Sequence, residues 1–323
     1  MMNASASSQA HAPGKIALSP PSRAGDAAFK FLTWCMAMMI FVLVAVVGWE
    51  LFAGAAPALK AFGWRFLVRS DWNPVSSDFG ALPFIFGTFV SSLLGLAIAL
   101  PLSLATAVYL TELAPGWVRQ PAISLVEMLA AVPSVILGLW GIFVMVPWLR
   151  DHLFKSLQKH LGFLPLFQGH IYGVCVLSAA IIIAIMIVPI ITSISREVFR
   201  AVPETQREAA FALGATRWEV TRLAVLSSSR RGIFGAAMLG LGRALGETMA
   251  VTMVIGNRPE ISASLFAPGY TLASAIANEF SEATGDIYLS ALFELGLALL
   301  LVTIIINILA HVLIGAVGRE KHG

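Results

Sequence analysis

The sequence predicts an all-α polytopic membrane protein with six transmembrane helices and a cytoplasmic helix-turn-helix. Only 12% of its residues are charged and 58% are hydrophobic, whereas about 25% of the residues of a soluble domain are charged. The hydrophobic residues form blocks long enough to cross a ~30 Å bilayer core as helices of ~20 residues. They do not form the ~10-residue alternating segments of a β-barrel. One polar segment, residues 196–232, separates two of these blocks.

The first hydrophobic block follows an N-terminal tail, residues 1–28, whose Ala, Ser, Pro and Gly content predicts a disordered cytoplasmic segment. The block itself, residues 31–49, precedes the sequence Ala53-Gly54-Ala55, which resembles a signal-peptide cleavage site. Because the hydrophobic region of a signal peptide has about 7–15 residues, the longer block predicts an uncleaved first span within residues 29–52. Residues 53–81 are then the first periplasmic loop.

Five further spans are predicted within residues 82–316, and residues 317–323 form a short cytoplasmic tail. Pro101, Pro133 and Pro189 lie inside three of these spans. They predict kinks whose freed backbone groups are satisfied by neighbouring helices. The predicted spans are Leu82–Leu110, Ala122–Leu149, Ile171–Ile194, Ile233–Ile255 and Leu289–Ile314.

The distribution of Lys and Arg predicts that both termini are cytoplasmic. Cytoplasmic loops of membrane proteins carry an excess of these residues. With the N-terminus inside, thirteen of the 21 Lys and Arg residues lie in inner segments and seven in outer loops, and Arg243 lies within a span. Residues 196–232, called the basic loop below, hold seven of the inner thirteen. The charges are therefore read as topology signals and not as a nucleic-acid surface.

The basic loop carries signals for two short helices. Pro203 and Glu204 are typical of a helix start, and Gly214 is typical of a helix end. Thr216 and Glu219 have the spacing of a capping box, which predicts the start of a second helix. A helix pair with its own caps is more than a connection between two spans needs. The loop therefore predicts a surface for a soluble partner.

This helix pair resembles the EAA loop of permease subunits in bacterial binding-protein-dependent ABC importers. The usual Ile-x-Leu-Pro ending of that loop falls on residues 224–227, where only Leu226 matches and Ser227 replaces the proline. The resemblance implies a permease fold like that of type I ABC importers, and coupling of this loop to a cytoplasmic ATPase. The residues that carry the resemblance and would make the coupling are Glu208, Ala209, Ala210 and Gly214.

A second candidate site lies in the predicted fifth span, which contains Arg243 and Glu247. Arg243 lies ~15 Å along the helix from Ile233, near the bilayer midplane. A charge at that depth costs at least ~2.5 kcal/mol, and the spacing of four residues lets the two side chains pair on one helix face. The pair is either a structural link between helices or a charged step on an anion path. The second interpretation is favoured because intramembrane charges are usually functional.

The residues around this pair resemble the phosphate-specific branch of the same importer family, the Pst permeases. The matching stretches are residues 132–141, 243–250 and 256–274, and the first span and its outer loop fit the C-type subunit of that branch. The resemblance implies a phosphate path along Arg243 and Glu247 in the bacterial inner membrane. It also implies a heterodimer with an A-type permease, two copies of a separate ATPase, and a periplasmic phosphate-binding protein.

Further positions are weaker candidates. Glu127, Pro133 and Ser134 lie near the inner part of the predicted third span and are possible pore-lining residues. The periplasmic loop 256–288 is net acidic, and its hydrophobic clusters predict a packed element. That element either contacts the outer gate or an external partner, or only seals the helix bundle. Neither the two cysteines nor the histidines have metal-ligand spacing, so no metal site is predicted.

The alternatives concern the energy source. The chain has no Gly-x-x-x-x-Gly-Lys-Ser/Thr sequence, so it predicts a non-catalytic subunit with no cofactor, whose ATP is used by a partner. An ion- or proton-coupled secondary anion transporter that uses Arg243 and Glu247 is the alternative, but it predicts inverted repeats and gives the basic loop no role. A membrane enzyme is disfavoured because no His-Glu-x-x-His or Gly-x-Ser-x-Gly sequence is present.

Overall fold

The computed structural model of the chain describes residues 23–319, and every regular element within them is helical. Residues 1–22 and 320–323 lie outside the described residues. Most of the predicted N-terminal tail and part of the predicted tail 317–323 are therefore not described. The chain divides into two units, residues 1–49 and residues 50–323, which are considered in turn.

The first unit contains the beginning of a long helix, α1 (Arg23–Phe62). The helix already starts at Arg23, so residues 23–28 are helical and the expectation that they are disordered is wrong. Hydrophobic side chains such as Phe31, Trp34 and Phe41 are exposed on it, and none of its most hydrophobic window is buried. A helix that is hydrophobic all round is typical of contact with lipid.

The second unit holds the remaining helices. Short π-helical turns extend several of these helices. Tyr109–Leu113 ends the span that begins with α2, Gly141–Met145 joins α4 to α5, and Thr221–Leu226 follows α9. The helices are α2 (Leu82–Val108), α3 (Gly116–Ala130), α4 (Ser134–Trp140), α5 (Val146–Trp148), α6 (Lys155–Leu161), α7 (Val176–Arg200), α8 (Glu204–Ala212), α9 (Arg217–Val220), α10 (Arg230–Leu245), α11 (Met249–Ile255), α12 (Leu272–Glu279) and α13 (Asp286–Arg319).

Helix α7 lies at the centre of this unit and packs against α2 and α10. Small residues permit these close approaches. A Cβ added at Gly95 of α2 would lie 2.7 Å from Ile183, and one added at Gly240 of α10 would lie 2.7 Å from Ile191. The residues of α7 that fill the resulting core are almost fully buried, namely Ala179, Ile182, Ile183, Ile187 and Ile191.

The end of α1 that belongs to the second unit is fixed to α13 by a serine. The Ser290 hydroxyl donates to the Gly54 carbonyl at 2.8 Å and accepts from the Ala58 amide at 2.9 Å. These two backbone groups are one helical turn apart. The serine hydroxyl therefore gives a hydrogen-bond partner to both backbone groups. Inside a membrane no water is present to provide one.

Among the described residues, five helical segments are long and hydrophobic enough to span a membrane. The number is six when the bent pair α10 and α11 counts as one span. The predicted all-α fold with six spans is confirmed on that count. Two of the predicted spans nevertheless differ from the structure in a way that changes the interpretation of their residues.

The predicted third span, Ala122–Leu149, is wrong in position. The chain leaves the helical conformation at Pro133 (φ −57°, ψ 136°), so α3 ends before it and the membrane span runs over Ser134–Leu161. Proline disfavours a helical conformation in the residue before it, which separates the two helices although both are hydrophobic. The predicted outer loop 150–170 is correspondingly helical up to Leu161.

The predicted fifth span, Ile233–Ile255, is broken. Helix α10 ends at Leu245, helix α11 begins at Met249, and their axes differ by 67°. Between them Gly246 and Thr248 flank a single acidic residue, Glu247. The two candidate charges of the fifth span therefore lie at this break and not in the middle of a continuous helix.

Candidate functional site

The break between α10 and α11 brings Arg243 and Glu247 together. Arg243 lies in the last turn of α10, and Glu247 follows the end of that helix. The Arg243 guanidinium donates to the Glu247 carboxylate, so the predicted pair is formed. The expectation that the two residues share one face of a continuous helix is wrong, because the helix ends between them.

The two charges differ in how firmly they are held. The second carboxylate oxygen of Glu247 accepts from the backbone amide of Ala250, at 3.3 Å, in the first turn of α11. Only 4% of the Glu247 side chain is exposed, against 44% of the Arg243 side chain. The carboxylate is thus fixed to α11, while the guanidinium has an open side. A cation is also favoured at the C-terminal end of a helix by the helix dipole.

Helix α4 packs against α11 at this break. A Cβ added at Gly138 of α4 would lie 2.7 Å from the sulfur of Met253 and 3.0 Å from the Cα of Ala250. Pro133 and Ser134, two of the predicted pore-lining residues, begin this helix. The structure therefore places their helix beside the broken span, on the side where Glu247 is anchored.

Glu127 lies elsewhere, because α3 is separate from the third span. Its carboxylate accepts from Arg196 of α7 at 3.4 Å, and Arg196 also pairs with Glu197 at 3.1 Å. Arg196 is 8% exposed. This arrangement makes Glu127 an anchor that holds α3 against α7. Arg196 was counted only as one of the charges of the basic loop, and its position one turn before the end of the fourth span is the only signal that distinguishes it.

The basic loop forms the predicted helix pair, α8 and α9. Gly214 lies between them with a φ of +84°, and nothing lies within 4 Å of a Cβ added there. Thr216 and Glu219 form the predicted capping box at the start of α9. Hydrogen bonds from the Thr216 amide and hydroxyl lower the pKa of the Glu219 carboxyl. The turn is thus defined by backbone conformation and caps.

The surface of this helix pair is hydrophobic at several exposed positions. Glu208 and Ala209 are exposed, Ala210 is partly exposed, and large hydrophobic side chains stand beside them. Exposed hydrophobic groups of this kind mark interaction surfaces. The exposed large hydrophobic residues of the pair and of the turn that follows it are Phe211, Leu213, Trp218 and Leu223.

Arg207 fixes the helix pair to the rest of the second unit. Its guanidinium lies 3.1 Å from the Glu112 carboxylate at the end of the second span and 2.9 Å from Glu204 of α8. It also donates to the Phe199 carbonyl at 2.8 Å. Neither Arg207 nor Glu112 was a candidate site residue on the sequence alone. The signal for this contact was a lone acidic residue, Glu112, at the end of a hydrophobic span.

The chain continues in a helical conformation where the resembling loops have their proline. Ser227 has a φ of −67° and a ψ of −38°, and it follows the π-helical turn Thr221–Leu226. A proline at that position has no amide to donate. The chain stays helical through Ser227 and turns at Ser229, immediately before α10.

Loop 256–288 is a packed element, as its hydrophobic clusters predict. Helix α12 contacts α2, α11 and α13, and its last residue, Glu279, accepts from the Trp72 indole at 2.7 Å and the Tyr288 hydroxyl at 2.8 Å. Tyr270 is buried at the start of this element, and burial raises the pKa of its hydroxyl. Glu279 thus joins loops 53–81 and 256–288.

Comparison with protein families gives one match over most of the chain. Residues 99–321 match the family described as binding-protein-dependent transport system inner membrane component. Among solved structures, a chain from the MetNI methionine ABC transporter in an inward-facing conformation superposes with a TM-score of 0.50 at 18% identity. The superposition covers 79% of this chain and 97% of that chain, which supports the fold.

Curated relatives are similar over nearly their whole length. The phosphate transport system permease protein PstC of Mesorhizobium japonicum is 47% identical over 88% of this chain and 89% of its own. The PstC protein of Pasteurella multocida is 45% identical over 91% of this chain and 92% of its own. A probable PstC protein of Methanocaldococcus jannaschii is 37% identical over 87% of this chain and 91% of its own.

Proposed function

Because this chain belongs to the family of inner membrane components of binding-protein-dependent transport systems, we propose that it is the permease subunit of an ATP-driven phosphate importer. It moves inorganic phosphate from a periplasmic binding protein into the cytoplasm. The observation that carries this proposal is the broken fifth span, where Arg243 has an open side, in a chain similar throughout to phosphate permeases.

The chemistry of the break suits a dianion. A guanidinium presents a planar set of donors that binds two oxygens of a phosphate at once. Glu247 occupies one side of this guanidinium before phosphate arrives. An unopposed Arg would hold phosphate too long for transport, and the carboxylate lowers that affinity because it competes for the same donors. Arg243 is then the binding group of the path, and Glu247 sets the rate of release.

The basic loop supplies the coupling to ATP. In this proposal the surface with Glu208, Ala209, Ala210 and Gly214 contacts a cytoplasmic ATPase, because the chain has no phosphate-binding loop of its own. Arg207 transmits movement of α8 to the second span through its contact with Glu112. Closure of the ATPase is thereby connected mechanically to the membrane helices.

The remaining partners follow from the family. The chain pairs with a second, homologous A-type permease as a heterodimer, and two ATPase copies and a periplasmic phosphate-binding protein complete the importer. The chain lies in the bacterial inner membrane with both termini in the cytoplasm, which the excess of Lys and Arg in inner segments supports. The permease core is residues 82–316, and loop 256–288 faces the periplasm.

Uptake of labelled phosphate tests the proposal. Cells deleted for this gene would be complemented with the wild-type chain or with Arg243→Gln, and sulfate uptake would be measured alongside. We expect only the wild type to restore phosphate uptake, because Gln removes the charge but keeps a similar size. The amount of assembled complex in the membrane is the control. Equal phosphate uptake by both variants would remove Arg243 from the path, and unchanged phosphate uptake in the deleted cells would contradict the substrate.

A further inference from the structure

A cavity of 470 Å³ lies beside the basic loop. Its walls come from the π-helical turn after α2, the start of α3, the end of α7, and the helix pair α8–α9. This volume falls within the range of about 300–1,000 Å³ that is usual for small-molecule sites. The charged residues that line the cavity are Glu112, Arg119, Arg200, Glu204, Arg207 and Arg217.

The cavity has an excess of positive charge. Four guanidinium groups line it against two carboxylates, and both carboxylates, Glu112 and Glu204, are already paired with Arg207. The other three guanidinium groups are weakly neutralised. Arg119 donates only to the carbonyls of Thr111 and Ala114. Two positive charges thus remain in excess in a concave site.

The other two guanidinium groups have still fewer partners. Arg200 lies 3.6 Å from Glu197, whose carboxylate also pairs with Arg196. Arg217 has no carboxylate partner within residues 23–319, and it is exposed at the start of α9. In addition, the Nε atoms of Arg119 and Arg207 are buried without an acceptor. The cavity therefore offers donors and lacks acceptors.

This composition selects the chemistry of the occupant. Arginine forks bind the oxygens of phosphoryl groups bidentately, and a phosphate dianion balances an excess of two positive charges. The phosphate dianion carries acceptor oxygens and no cationic group. A neutral or cationic metabolite would leave the guanidinium groups uncompensated.

We propose that this cavity is a regulatory site for a phosphoryl dianion on the cytoplasmic side of the importer, separate from the membrane site at Arg243. The identification of the dianion with imported phosphate rests on the proposed function. A lipid that ends in a phosphomonoester, and so also carries a phosphoryl dianion, is the other source of the same chemistry. A dianion held here bridges Arg119 and Arg200 of the surrounding helices to Arg217 of α9, and so fixes the helix pair that contacts the ATPase.

The consequence is inhibition of import by its product. Phosphate that accumulates inside occupies the cavity, immobilises α8–α9 and slows the coupled movement. The test uses the complete importer, with both permeases, the ATPases and the binding protein, in proteoliposomes. The initial rate of labelled phosphate uptake is measured as internal phosphate is increased, with internal sulfate at equal concentration as the reference for ionic strength.

We expect the wild-type rate to fall with internal phosphate, and Arg217→Gln to raise the half-inhibitory concentration about tenfold, since it removes a charge-assisted hydrogen bond. Arg217→Lys should shift it less, because Lys keeps the charge but not the fork. Arg222→Gln is the matched control. Arg222 is exposed in the same loop, lies outside the cavity, and its variant loses the same charge.

A binding measurement separates this proposal from the proposed function. Labelled phosphate is bound at equilibrium to the purified importer without binding protein or ATP, in an Arg243→Gln background that removes the membrane site. This arm does not require that the complex imports phosphate. We expect binding that Arg217→Gln weakens and Arg222→Gln does not, and the same pattern would hold if uptake of phosphate were absent.

Native mass spectrometry of the purified complex distinguishes the two sources. Loss of one bound phosphomonoester lipid in Arg217→Gln, without any effect of internal phosphate, would assign the phosphoryl group to lipid and support the site. Equal phosphate binding, inhibition and lipid count in Arg217→Gln and Arg222→Gln would overturn the proposal. Weaker co-purification of the ATPase in Arg217→Gln alone would also overturn it, because the cavity then receives a carboxylate of that partner.

Discussion

At the scale of single residues, the difference between Arg243 and Glu247 in exposure is the main property of the candidate path. The carboxylate is buried and bound to the backbone, whereas the guanidinium is nearly half exposed. An incoming anion therefore meets the positive charge first. Substitutions that change only the charge, only the shape or only the backbone contact of a side chain can show which of these properties transport requires.

Arg243→Lys should transport phosphate with a raised KM, because Lys keeps the charge but binds one oxygen at a time. The measurement is the concentration dependence of phosphate uptake in complemented cells. Arg243→Gln, which lacks the charge, is the reference for complete loss. Wild-type kinetics in Arg243→Lys would show that the site needs only a point charge.

Glu247→Gln should lower the maximal rate and leave KM unchanged or reduced. Gln still accepts from the Ala250 amide, so the start of α11 keeps its contact, but the competing negative charge is gone. Phosphate would then leave Arg243 more slowly. Single-turnover release from the reconstituted importer measures this step, and a raised KM with an unchanged maximal rate would contradict the assigned role.

At the scale of elements, the helix pair α8–α9 depends on one backbone conformation. Gly214 has a φ of +84° with open space around it, so a side chain is excluded by backbone strain and not by a clash. A left-handed conformation costs an L-residue roughly 1–2 kcal/mol, and more for a β-branched one. The turn is where a single substitution has the largest effect on the pair.

Gly214→Val and Glu208→Lys should both reduce transport, and for different reasons. Gly214→Val distorts the turn, whereas Glu208→Lys reverses a charge on the exposed surface that we propose contacts the ATPase. We expect less ATPase to co-purify with either variant, and phosphate-stimulated ATP hydrolysis to fall. Arg222→Gln serves as the control on the same loop. Full co-purification and normal transport in both variants would exclude this surface as the contact.

Elements also show where sequence reasoning succeeds and where it fails. The helix pair was predictable in detail because caps and a left-handed glycine are local signals at Gly214, Thr216 and Glu219. The break at Glu247 was not, because the residues on both sides remain hydrophobic and the contact of α4 with α11 beside the bend joins residues distant in sequence. Pro133 was read as a kink inside a span, although it separates two helices.

The ion pairs between residues distant in sequence could not be predicted either. Arg207 meets Glu112 across 95 positions, and Arg196 meets Glu127 across 69. The two arginines were counted only as topology signals, Glu127 was predicted as a possible pore-lining residue, and Glu112 was not selected. These pairings depend on how the helices pack, which the sequence does not display. The two residues of the break, by contrast, could be selected because charges inside a hydrophobic block are conspicuous without any structure.

At the scale of the whole molecule, the orientation in the membrane is the property that makes the proposed function directional. Glu282 in loop 256–288 and Arg222 in the basic loop are both exposed. Cysteines introduced at these positions should react with an impermeant maleimide from opposite sides. Glu282→Cys should label in intact cells once the outer membrane is permeabilised, and Arg222→Cys only after cell lysis.

The native Cys35 and Cys175 provide the background for this measurement, and the unsubstituted chain is its control. Cys175 is buried, which limits its reaction. Labelling of Arg222→Cys in intact cells would reverse the orientation and place the helix pair where no ATPase can reach it. The proposal of a cytoplasmic coupling surface would then fail together with the topology.

The angle of the bend between α10 and α11 also determines the distance between the charges of Arg243 and Glu247. The negative charge of the pair moves with α11, because the Ala250 amide holds it, and the positive charge moves with α10. The attraction between two charges falls with their distance, so the angle at the bend sets how strongly the carboxylate competes with an anion. A change in this angle would alter the affinity of Arg243 for an anion without changing any residue. Movement of α11 relative to α10 would then lead directly to binding or release of the anion.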